Sequence, residues 1–95
     1  QPIEIVTNLK SPTGEFTHIK ASIVADAESQ SILKILKESE YILRHTYIEF
    51  FNSINEEEIL EYLNSNQLKD DLKVAVENNL ELKVDGIYFE HLQVR

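Results

Sequence analysis

The sequence contains no cysteine. That absence removes disulfides, a thiolate nucleophile and any zinc site built on thiolates, and is compatible with an oxidising compartment without fixing one. Glycine is nearly as scarce. Gly14 and Gly86 are the only two, and neither belongs to a GxGxxG or GxxxxGK[ST] fingerprint, so no glycine-rich loop can cradle a phosphate. Basic residues are few: 9 Lys and Arg stand against 17 Asp and Glu, a net charge of −8. A field of that sign repels phosphate backbones and anionic headgroups, which disfavours nucleic acid and lipid surfaces as partners. Apolar runs are short, as in Ile87-Tyr88-Phe89, against the roughly 20 residues a membrane helix needs.

What remains is an ordinary globular composition, 42% hydrophobic and 27% charged over 95 residues. That length fits one domain, residues 1–95. The start, Gln1-Pro2-Ile3-Glu4, has neither an initiator methionine nor the basic and apolar regions of a targeting segment. A processed or trimmed chain is the expectation, which leaves room for an anchor upstream.

Hydrophobic periodicity supplies the elements. Ile3, Ile5 and Leu9 share one face of a strand. Ser11-Pro12-Thr13-Gly14 suits a type I turn. From Phe16 to Ala25, Ile19, Ala21, Ile23 and Ala25 alternate with His18, Lys20 and Ser22, completing a hairpin. A long helix is predicted from about Glu28 to Asn52, with Ile32, Leu36, Leu43, Tyr47, Phe50 and Ile54 on its inner stripe. Asn55 and Glu58 resemble a capping box opening a second helix to about Leu63. A third follows from Gln67 to about Asn79, with Leu68, Leu72, Ala75 and Val76 inward. In the closing segment Val84, Tyr88, Leu92 and Val94 take one parity and Ile87 and Phe89 the other. That pattern predicts a strand inside a sheet, covered on both faces. The expected architecture is α+β: a small three-stranded sheet, the N-terminal hairpin plus the C-terminal strand, packed against one long and two shorter helices in the order β-β-α-α-α-β.

The residues offer no catalytic constellation. His18, His45 and His91 lack the spacing of a metal site. Glu56-Glu57-Glu58, Glu61 and Asp70-Asp71 fall at predicted helix N-termini, where acids complement the dipole. No serine sits in a glycine elbow. The expectation is a protein with no catalytic residue, metal, cofactor or small-molecule substrate.

One pattern departs from a simple amphipathic helix. Tyr41 and Ile48 lie on the predicted outer face of the long helix, amid Lys34, Lys37, Glu38, His45 and Asn52. Leu33 and Phe51 flank the core stripe. Two readings are open for such residues: cover by another part of the same chain, or a surface for another protein or another copy. The second nominates Tyr41, His45, Ile48 and Phe51 as a protein interface.

The C-terminal half carries a resemblance. Val84-Asp85-Gly86-Ile87-Tyr88-Phe89-Glu90-His91-Leu92-Gln93-Val94 resembles the closing strand of the flagellar basal-body FliL family. Leu68-Lys69-Asp70-Asp71-Leu72 with Val76 and Asn78 is similar to that family's Leu-Lys-Glu-Glu helix, and Ile42 to Ser53 resembles the helix before it. The resemblance implies a stomatin-like fold and a periplasmic domain on a single inner-membrane helix. It further implies a non-enzymatic protein that assembles around the motor stator units, forms a ring when anchored and controls motility. Apart from that likeness, the residues fit a soluble acidic protein–protein adaptor unrelated to flagella.

Overall fold

The computed structural model describes residues 2–9, 17–55, 58, 61–62 and 65–94. Among these, the element order is β1 (Ile3–Leu9), β2 (Thr17–Asp26), α1 (Gln30–Glu38), α2 (Glu40–Asn52), α3 (Gln67–Leu80) and β3 (Gly86–Val94). The fold is α+β, with one antiparallel sheet and helices in the expected β-β-α-α-α-β order. The turn at Ser11 to Gly14 and most of the predicted helix from Asn55 to Leu63 lie outside the described residues.

Two sequence expectations are corrected. The long helix is broken at Ser39 into α1 and α2. Ser39 adopts φ −103° and ψ 24°, and its N–H donates to both Ile35 O (2.9 Å) and Leu36 O (3.3 Å). Serine has weak helix propensity, and here the break makes an elbow rather than a turn out of the layer. The second correction concerns β3, which is an edge strand and not a covered central one: the sheet order is β1-β2-β3. Its mixed parity has a local cause. Ile23 pairs with Phe89 but Ser22 pairs with His91, so Glu90 is an extra residue at a β-bulge. The bulge reverses the alternation. Ile87 and Phe89 before it, and Leu92 and Val94 after it, therefore all pack toward the same core.

That core lies between the sheet and the helices. Ile3, Ile5 and Leu9 of β1, Ile19, Ala21 and Ile23 of β2, Leu36 and Leu43 of the elbow, and Leu72 and Val76 of α3 are all buried. Phe50 and Phe89, expected among them, are half-buried and pack against the cluster.

α2 is also tied to β1 by two side-chain hydrogen bonds. The Arg44 guanidinium donates to the Glu4 carbonyl, and the Thr7 hydroxyl donates to Asn52 Oδ1 at 2.6 Å. Unpaired strand edges invite intermolecular pairing, and on that of β1 the Glu4 carbonyl is taken up by Arg44. At the other side of the sheet, Asp85 N–H donates to Asp26 O at 2.8 Å, and the Asp85 carboxylate accepts from Glu28 N–H. These bonds fix where β3 begins relative to the helical segment.

Candidate interaction surface

The Ser29 hydroxyl accepts from Ile32 N–H and starts α1, a strongly amphipathic helix of nine residues. Only Leu36 of α1 is fully buried; Ile32 and Leu33 are half-covered and Ile35 is 43% exposed. α2 is held more firmly, because it lies against β1 on one side and α3 on the other. A helix with two neighbours buries a wider arc than a single stripe. Leu43, Thr46, Tyr47 and Phe51 are all buried as a result.

This arrangement separates the four nominated interface residues. Tyr41 stands 74% exposed at the start of α2. His45, one turn on, is exposed, with Nε2 3.1 Å from Glu49 Oε1. Ile48 is half-buried and packs on the core. Phe51 is fully buried, stacked edge-on against Phe50 and Phe89, and presents nothing to a partner. Tyr41 and His45 therefore share a surface, Ile48 borders it, and Phe51 belongs to the interior.

Sequence reasoning missed two features nearby. The first is a partly open cavity of about 250 Å³ in the elbow, lined by Ile3 and Ala25 of the sheet, Leu33 and Leu36 of α1, and Leu43 and Tyr47 of α2, with Lys37 and Glu40 also lining it. It lies where α1, α2 and the sheet meet, and no sequence period encodes it. The second is Thr46, a buried hydroxyl that donates to Ile42 O at 2.8 Å and accepts from Asn79 Nδ2 at 2.8 Å. Tyr47 contrasts with it. Among the described residues its buried hydroxyl has no hydrogen-bond partner, and burial pushes its ionisation well above the ordinary phenol range.

The other perturbed groups lie away from this face. The Tyr62 phenol donates to Asp71 and is pushed up to about 12, chiefly by that bond, with burial adding to it. Asp71 is held below the usual carboxylate range by Tyr62 and then by Gln67, whose amide donates at 2.7 Å. The pair joins the segment before α3 to its second turn. Among the described residues, no group of three or more His, Asp or Glu is placed to hold a metal ion, and no helix is long and apolar enough to cross a membrane.

A family model described as flagellar basal body-associated protein FliL matches residues 2–94. The chain belongs to the FliL family. The match runs from the start of β1 through the end of β3, so it takes in the sheet, the elbow and α3 together. Membership makes this a flagellar basal-body-associated domain and ties it to motility. No curated protein matches the chain.

Proposed function

We propose that this domain is a non-enzymatic component of the flagellar basal body that assembles around the motor stator units and supports or regulates them. The observation that carries the reading is the family match over residues 2–94. The surface is consistent with it. Tyr41 and Tyr88 are exposed, and aromatic side chains are enriched at protein contacts. The stator proteins are the partners in this reading. The domain faces the periplasm and hangs from a single-pass inner-membrane anchor, where tethering raises the effective concentration of copies and favours a ring. Tyr41 and His45, bordered by Ile48, form the contact face.

The test is deletion of the gene with complementation by the intact protein, scoring swimming speed and recruitment of fluorescent stator units. Unchanged motility and recruitment in the deletion strain would overturn the stator reading. Protease added to spheroplasts should degrade the domain; full protection there would place it in the cytoplasm.

A further inference from the structure

We propose that Tyr41 of one copy seats in the elbow cavity of the next copy, a knob-into-hole contact that repeats head to tail. The inference rests on the assembly reading above and names the contact behind it. The cavity offers about 250 Å³ walled by Leu33, Leu36, Leu43 and the Tyr47 ring. A cavity of roughly 150 Å³ lined by aliphatic side chains takes up benzene, so this one has room for a phenol ring. Tyr41 is the most exposed large apolar side chain among the described residues, at 74%. It has the size and chemistry the cavity accepts.

Charges match as well. Lys37 and Glu40 both line the cavity. One and two turns beyond the knob stand His45 and Glu49, 3.1 Å apart. One couple is complementary, with Lys37 beside the cavity suited to Glu49 beyond the knob.

The geometry decides the kind of assembly. On α2 the cavity is lined by Glu40, Leu43 and Tyr47. At 100° per residue, Tyr41 points roughly 130° away from their mean direction. Knob and hole thus occupy different sides of the helix. A contact between different patches is heterologous, and it closes into rings or runs on as filaments rather than stopping at a two-fold dimer.

The chain has no native cysteine, so disulfide trapping is free of background. The chain is tethered through an N-terminal hexahistidine tag to nickel-chelating lipid vesicles, and Lys37→Cys and His45→Cys are made separately. After mild oxidation, a mixture of the two single variants should give a linked dimer at least tenfold above either variant alone. The double variant should give a ladder beyond dimer. Adding Tyr41→Ala should cut both yields at least tenfold while the thermal midpoint stays put. Raising salt should increase the yield, because each copy carries −8. Dimer from His45→Cys alone equal to that of the mixture, a yield independent of Tyr41, or no linked species would each overturn the contact. Failure here with motility still dependent on the protein would refute the contact and leave the stator reading standing. A Tyr41-dependent ladder from a protein dispensable for motility would do the reverse.

Discussion

The rings of Phe51 and Phe89 meet edge to face, with centroids 6.3 Å apart and planes inclined at 63°. This pair joins α2 to the edge strand β3 and sits where the bulge has turned the core-facing parity of β3. It also marks the limit of the interaction face, since Phe51 has no exposed surface. Phe51→Ala should therefore cost about 3–5 kcal/mol, as buried phenylalanine truncations do. Tyr41→Ala should cost less than about 0.5 kcal/mol. Urea denaturation of both variants checks the contrast; equal losses would show that the two aromatics share one environment.

Among the described residues, the buried Tyr47 hydroxyl has no partner. An unpaired buried hydroxyl is a cost the folded state carries, and removing it at constant shape relieves that cost. Tyr47→Phe should raise stability by about 1 kcal/mol, read as a higher denaturation midpoint at unchanged slope. A loss of similar size would reveal a partner for the hydroxyl.

Helix α3 ends at Glu81 in the left-handed region, φ 55° and ψ 42°, with its N–H donating to Glu77 O. Leu82 N–H reaches the same carbonyl at 3.3 Å. Glycine suits that position, and an acid at a helix C-terminus also faces the negative end of the dipole. Glu81→Gly should stabilise the fold by about 0.5–1 kcal/mol, the left-handed strain relieved outweighing the added chain entropy. A lower thermal midpoint would contradict it.

The Tyr62–Asp71 bond makes a pH-dependent contribution at both ends of the range. Asp71 has its folded pKa depressed, so its contribution is present above the ordinary carboxylate value and is lost as pH falls through the lower folded value. Tyr62 is raised to about 12, so its contribution is present below the ordinary phenol value and is lost as pH rises toward 12. Tyr62→Phe should move the Asp71 titration, followed by carboxyl NMR, upward toward the ordinary value. Only the Gln67 bond would then hold it down. An unmoved midpoint would mean that Tyr62 does not perturb Asp71.

Much of this was legible in the residue pattern. Alternation in Ile3 to Leu9 and Ile19 to Ala25 placed two strands and their inner faces, and Leu68, Leu72 and Val76 marked the buried side of α3. The α+β class, the element order and the family likeness came from the same local signals. Local periodicity reports which residues an element hides from water, provided the element stays regular and has one neighbour.

Tertiary structure decided the rest, in the places where that condition fails. The extra residue Glu90 shifts the phase of β3, so a strict alternation misassigns the residues beyond it, whereas Leu43 and Tyr47 stay on the inner stripe past the break at Ser39. Phe51 went into the core because α2 has both β1 and α3 against it, and the sequence of α2 does not state how many neighbours it has. The elbow cavity and the Thr46–Asn79 bond across 33 positions depend on how separate elements meet. Those are properties of packing between segments distant in the chain, and one-dimensional spacing carries no coordinate for them.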